Sequence, residues 1–188
     1  MILATEHLTI RPFTRSDLRQ FRQLLEMPEV PGWQMQRDKA EAFLDWHISN
    51  YTEMDILHGI VCFGIFDSRD GRIVGATGAG EHDDLHEPEI FYNILPGARG
   101  KGYATEAAQA IVGWVFSELD VEYLIGTAGI DNVASQRVLE KCGFQFVETR
   151  ELLVHIQGQR HEFKCYRLKN PKQSTRLLQC HGEELLTQ

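Results

Sequence analysis

The sequence predicts an α/β domain, and three observations carry that prediction. Apolar runs are paired across short turns rich in Asp, Gly and Gln. One strand passes through a glycine-rich turn into an amphipathic helix. Hydroxyl and carboxylate caps open further helices among the strands. The 188 residues suit one domain of ordinary size with its own core, and no repeat, low-complexity tract or linker divides the chain before about residue 168. The expected division is therefore a domain over residues 1 to 168 and a tail over 169 to 188, in which Pro171 and the Leu177-Leu178 patch are the only features.

Taken in order, Leu8-Thr9-Ile10-Arg11-Pro12 alternates as a short strand. Thr14-Arg15-Ser16-Asp17 has the capping-box form and opens a helix that sets Leu18, Phe21, Leu24 and Leu25 on one face and stops near Pro28. Residues 28 to 37 read as loop. Asp38 with Glu41 repeats the opening signal before Ala42, Phe43, Trp46 and Tyr51, a helix expected to reach about Met54 with Trp46 in the core. Residues 60 to 66 and 73 to 77 flank Asp67-Ser68-Arg69-Asp70-Gly71 as a hairpin, and Glu89-Ile90-Phe91-Tyr92-Asn93-Ile94 is the next strand. A helix follows the glycine turn, with Ala104, Ala107, Ala108, Ile111, Val115 and Leu119 at helical spacing. Residues 121 to 128 read as a buried strand, Asp131-Asn132 as a helix start and Gly143 as its stop. A last hairpin, 144 to 156 and 162 to 168, turns at Gln157-Gly158-Gln159, bringing the strands to seven.

Charge and composition narrow the function. A formal net charge of -8 disfavours nucleic acid, whose phosphates demand a basic surface, and tolerates a cationic substrate. No apolar run approaches the roughly 20 residues of a membrane span, and the first residues carry no export or import signal, so the expectation is a cytoplasmic protein that does not engage a membrane. Cys62, Cys142, Cys165 and Cys180 form no CxxC and are expected to be reduced. His82 and His86 stand four apart around Asp83 and Asp84, but Gly80 and Pro88 make that stretch a polar loop, and no metal is expected.

The chemistry concentrates in residues 99 to 105, Arg-Gly-Lys-Gly-Tyr-Ala-Thr. Free amides at a helix start carry partial positive charge, and glycine lets that backbone close on phosphate oxygens. A Walker loop is excluded by its spacing and by the missing hydroxyl after Lys101. A dinucleotide fingerprint is excluded because Thr105 stands where a third glycine belongs and Ala128 where an acid belongs. What remains is Arg/Gln-x-x-Gly-x-Gly/Ala, met by Arg99, Gly102 and Ala104.

With that motif, with Glu89-Ile90-Phe91-Tyr92 upstream, and with residues 132 to 144 downstream from Asn132 to the Glu140-Lys141-Cys142-Gly143-Phe144 ending, the chain resembles the GNAT superfamily of N-acetyltransferases over residues 6 to 168. Its opening is similar to the RimJ/RimL-like branch, which acetylates protein N-termini and some small amines. The resemblance implies a mixed, mostly antiparallel seven-stranded sheet, splayed after the fourth strand, with helices on both faces. It implies acetyl-CoA as acetyl donor, held at its pyrophosphate by Arg99, Gly100, Lys101, Gly102, Tyr103, Ala104 and Thr105 and at its pantetheine by Ile94, Leu95 and Asn132.

The same resemblance implies an enzyme, monomeric or homodimeric, in which an amine attacks the thioester directly and a backbone amide near Ile94 or Leu95 meets the oxyanion. Ser135 matches a serine near the CoA sulfur, while the family's usual tyrosine acid is replaced by Leu139. Glu89 and Glu81 are the candidate bases, Glu89 foremost, because the attacking amine must be neutral. Leu139 also admits a non-catalytic acyl-CoA sensor, and a cofactor-free scaffold is a third reading. Specificity is expected from residues 28 to 37, the second helix and the Gly158 hairpin, with Trp33 and Trp46 as candidates to line an acceptor cleft and core as the favoured place for Trp46.

Overall fold

In the computed structural model, residues 1 to 28, 30 to 154 and 158 to 172 are described. The chain runs β1 (Leu3–Ala4), β2 (Leu8–Arg11), α1 (Leu18–Leu24), α2 (Pro31–Gln34), α3 (Ala40–Asn50), β3 (Ile60–Asp67), β4 (Ile73–Glu81), β5 (Pro88–Ile94), α4 (Tyr103–Glu118), β6 (Tyr123–Gly129), α5 (Val133–Lys141), β7 (Gln145–Val154) and β8 (Gln159–Lys169). One sheet orders them β1-β2-β3-β4-β5-β6-β8-β7. It has eight strands rather than the predicted seven, because the two-residue β1 pairs with β2 through Leu3 and Ala4. Two residues are too few to register as an alternation.

All neighbours are antiparallel except β5 and β6, which are parallel, as the helical crossover α4 between them requires. There the ladder is reduced to one registered pair, Glu89 with Ile125, and the two strands then part. β4 and β5 by contrast are paired from Gly75–Ile94 through Glu81–Pro88. This is the splay expected after the fourth predicted strand, and it leaves the β6-facing edge of β5 open.

Each face of the sheet is covered. α4 buries Ala107, Ala108, Ile111 and Val115 against Val61, Phe63, Ile90 and Leu124. On the opposite face Phe13, Phe21, Leu24 and Leu44 pack on Cys62, Ala76 and Phe66. Asp17 fixes the start of α1: its carboxylate takes both Arg11 guanidinium nitrogens at 2.8 Å and accepts from Thr14 N at 2.8 Å. The β3–β4 hairpin turns as read, with Gly71 at φ +69.

Three expectations are corrected. The expected loop over residues 28 to 37 contains the one-turn helix α2. α3 begins at Ala40, after a 3-10 turn over Arg37–Lys39, so Asp38 lies inside that turn, and the helix ends at Asn50 rather than near Met54. Its buried stripe is Ala40, Leu44 and His47, which leaves Ala42 exposed and Trp46 46% exposed. Asn170 is buried and donates to Val121 O at 2.9 Å. The expected turn at Gln157, Cys180 and the Leu177-Leu178 patch lie outside the described residues, among which no disulfide occurs and no helix is long and apolar enough to cross a membrane.

Candidate active site

The site is built at the open edge of β5. Leu95 N donates to Val74 O at 2.8 Å, so this residue's backbone faces β4. Alternation then turns the backbone of Ile94 toward the splay, and Arg99 Nε donates to Ile94 O there at 2.9 Å. Of the two amides expected to meet an oxyanion, Leu95's is committed to β4 and Ile94's faces the open side.

The turn into α4 needs its glycines for conformation, since Gly100 (φ +77) and Gly102 (φ +84) are left-handed and a Cβ on either would meet nothing within 4 Å. The helical ladder starts with Glu106 N donating to Gly102 O at 3.1 Å, so the preceding amides at the start of α4 have no α-helical acceptor. That start is braced on both sides. Buried Tyr103 donates to Asp67 Oδ2 at 3.2 Å, and Glu106 accepts from His7 N at 2.7 Å and from Thr5 Oγ1. Hydrogen bonds from Arg69 hold the Asp67 carboxyl well below the usual carboxylate range.

α5 supplies the facing wall. Asn132 caps it, Oδ1 accepting from Ser135 N at 3.1 Å. Between β5, the glycine turn and α5 lies a cavity of about 680 Å³. Of the residues expected to hold a cofactor, Ile94, Arg99, Gly100, Gly102, Tyr103, Ala104, Thr105 and Asn132 line it, together with Ser135, while Leu95 and Lys101 do not. Leu95 packs on the α1 and α3 side, and the Lys101 ammonium sits 5.8 Å from the Tyr103 ring centroid.

Arg137 and Lys141 also line the cavity and were not singled out in the sequence, although their four-residue spacing puts the two on one face of α5. With Arg99 they make three cations and no carboxylate in the lining of a chain whose net charge is -8. Tyr92 lines the same cavity, and its Oη lies 2.8 Å from Ser135 Oγ and 3.1 Å from Ser135 O. Burial pushes its phenol up to about 12 against the opposing Ser135 hydrogen bond. Leu139 is buried and meets Gly126 so closely that a Cβ there would lie 2.4 Å from Leu139 Cδ2. That position is core.

The two candidate bases are separated. Glu89 sits at the last paired position before the splay, and its Oε1 accepts from Thr127 N at 2.8 Å and Thr127 Oγ1 at 2.6 Å. Burial raises its pKa, opposed by His82 and by the Thr127 hydrogen bonds. Glu89 is not in the lining of the cavity at the glycine turn, and Glu81 lines a second cavity, of about 860 Å³, with Trp46, Glu53, Asp55, His58, Asp83 and His86, and pairs with His86 Nδ1 at 2.7 Å. His82 Nδ1 accepts from Asp84 N at 3.1 Å. Among the described residues no group of three His, Cys, Asp or Glu is arranged to hold a metal ion.

Comparison with known proteins bears on this arrangement. The sequence profile described as an acetyltransferase (GNAT) domain matches residues 7 to 145. The chain is 26% identical over 149 residues to the uncharacterized N-acetyltransferase YnaD of Bacillus subtilis, covering 77% of this chain and 83% of that protein. It is 24% identical over 170 residues to the putative ribosomal N-acetyltransferase YdaF of the same organism, covering 87% and 91%. The solved structure of RimL, a ribosomal L7/L12 alpha-N-protein acetyltransferase in complex with coenzyme A, superimposes with a TM-score of 0.72 at 15% identity, covering 90% of this chain and 98% of that one.

Proposed function

The chain belongs to the GNAT acetyltransferase family, and on that premise we propose that it transfers an acetyl group from acetyl-CoA directly to a primary amine. The observation that carries the reading is the cavity between the glycine turn and the splay, with three cations and no carboxylate in an acidic chain. An anionic, phosphate-bearing ligand fits that lining. The open backbone edge at Ile94 suits an extended amide-containing arm, which would add to β5 as a strand.

In this reading the amides at the start of α4, with Arg99, Arg137 and Lys141, hold the pyrophosphate, and Lys101 adds charge from the rim. Gly100, Gly102, Tyr103, Ala104 and Thr105 shape the turn, while Ile94 and Asn132 flank the pantetheine, with Leu95 keeping the end of β5 on β4. Acetyl-CoA supplies the activated acyl group as a thioester. The Ile94 amide donates to the carbonyl oxygen as negative charge develops on it. Glu89, where the splay begins and outside the lining of the cavity, takes the amine proton, its raised pKa placing it nearer the working pH of a base than an ordinary carboxylate. Glu81, in the other cavity, is the reserve candidate. Ser135 donates a hydrogen bond to the departing sulfur.

The acceptor class is drawn from the names of relatives. YdaF and RimL carry names that refer to ribosomal proteins, and the RimL name specifies the α-amine. We therefore place this chain in the RimJ/RimL-like branch with a protein N-terminus as acceptor, acting in the cytoplasm. Buried Leu139, which offers no hydroxyl, favours a second reading as a non-catalytic acyl-CoA sensor. Release of free CoA thiol from acetyl-CoA, measured with N-terminal peptides, polyamines and amino-sugars, separates the two: amine-dependent release supports the enzyme, and binding without release supports the sensor.

A further inference from the structure

Four residues with side-chain hydroxyls line the cavity: Tyr92, Tyr103, Thr105 and Ser135. Tyr103 is committed to Asp67, and Thr105 lies in the first turn of α4, at the phosphate end. Tyr92 and Ser135 meet at 2.8 Å, between the glycine turn and the start of the splay at Glu89. We propose that Tyr92 is the positioning residue of the leaving-group side: its phenol donates to Ser135 Oγ and thereby frees the Ser135 proton to point at the departing sulfur. The inference rests on the acetyl-transfer reading above.

The geometry holds two arrangements of the same heavy atoms. In one, Tyr92 Oη donates to Ser135 O at 3.1 Å and accepts the Ser135 hydroxyl proton. In the other, Tyr92 donates to Ser135 Oγ at 2.8 Å, and the serine proton is released into the cavity. Only the two hydroxyl rotors turn between them, so the change needs no movement of β5 or α5. Negative charge developing on sulfur selects the second arrangement, in which each donor polarises the next. The C–S bond breaks with its electron pair going to sulfur, the amine proton goes to the base, and the thiolate takes its own proton from water.

The pair donates hydrogen bonds and transfers no proton. Burial holds the Tyr92 phenol at about 12, whereas a thiol titrates at roughly 8.5, so moving the proton to sulfur would run uphill. A general acid with a pKa near that of the thiol would give a basic limb between about pH 7 and 9 in the pH–rate profile. A hydrogen-bonded positioning residue gives none.

The test is a double-mutant cycle on the full chain, Tyr92→Phe and Ser135→Ala, read by CoA release. Tyr92→Phe keeps the ring and removes only the hydroxyl, and Ser135→Ala lies in the first turn of α5 outside the core, so CoA affinity by calorimetry and the thermal midpoint of both variants check that the fold persists. The expected result is kcat for Tyr92→Phe lower by about 5- to 10-fold with KM for acetyl-CoA within about twofold, a size suited to one hydrogen bond. The double variant should be no slower than Ser135→Ala alone, and the Tyr92→Phe deficit should be constant from about pH 7 to 9. A Tyr92→Phe kcat within about twofold of wild type, losses that multiply in the double variant, or a deficit that changes with pH would each overturn the inference. Absence of CoA release by the wild type with every amine would instead overturn the acetyl-transfer reading and this inference with it.

Discussion

At Glu89 one side chain serves structure and chemistry together. Where the β5–β6 ladder ends, its carboxylate takes over the Thr127 amide that a continuing strand would have served, and accepts from the Thr127 hydroxyl as well. Burial raises its pKa, so the fold retains the protonated form more readily than the unfolded chain does. Glu89 therefore contributes stability that is complete below the ordinary Glu range and is lost as pH rises through the raised value. Glu89→Gln keeps an acceptor for Thr127 and removes the charge, so its thermal midpoint at neutral pH should equal or exceed wild type. Its rate should fall, with a deficit that shrinks between about pH 7 and 9 as an α-amine acceptor loses its own proton. A deficit equal at every pH would make Glu89 positional, and no deficit would turn the test to Glu81. Gly102 gives a companion result. No atom lies within 4 Å of its missing Cβ, so Gly102→Ala suffers only the strain of φ +84, roughly 1 to 2 kcal/mol. Gly102→Glu adds a carboxylate at the phosphate end and should weaken CoA far more, as calorimetry of the two variants would show.

Elements were legible in proportion to how far their own residues decide them. β3, β5, the glycine turn and α4 were read nearly to the residue, because a continuous apolar run, a turn with left-handed Gly71 and a run of buried Ala and Ile carry the signal locally, whereas β4 runs to Glu81, four residues past the predicted end at Thr77. α3 was read in the wrong phase. Its buried stripe of Ala40, Leu44 and His47 contains a histidine, which a polarity pattern assigns to water, so the neighbouring Ala42, Phe43 and Trp46 took its place. The structure sets His47 among Phe13, Phe21, Trp33, Phe43 and Trp46, with neither ring nitrogen hydrogen-bonded, and burial lowers its pKa to about 4. A folded value below the unfolded one gives stability that is intact above about pH 6.5 and is lost as pH falls toward 4, by roughly 3 kcal/mol in full. His47→Leu should raise the thermal midpoint and flatten its fall across that window. A midpoint that falls with pH as steeply as wild type would place the acid sensitivity elsewhere. β1 and α2 escaped notice for a plainer reason, since elements of two and four residues are held by their neighbours rather than by their own pattern.

Across the whole molecule, charge is sorted by cavity. The one at the glycine turn presents Arg99, Arg137 and Lys141 and no carboxylate, and the one beyond α3 presents Glu53, Asp55, Glu81 and Asp83 and neither Lys nor Arg. The net charge of -8 says nothing of this sorting, and neither does local spacing, because Arg99 and Arg137 meet only after β5, α4 and α5 have packed. The glycine turn alone therefore revealed the phosphate end, while the cations of α5 became visible in the fold. Replacing Arg137 and Lys141 together by Gln should weaken CoA by about tenfold at low salt, and by less as salt screens the wild-type attraction. Equal losses at all salt concentrations would show that the two side chains shape the cavity rather than charge it. Delivery of acetyl-CoA to an amine by this cation-lined splay is read in a single assay: release of CoA thiol by the wild-type chain from acetyl-CoA, with and without a peptide bearing a free α-amine. Saturable release that depends on the peptide and leaves its α-amine acetylated is the predicted result. CoA release no faster with the peptide, or with any other amine, than without would contradict it.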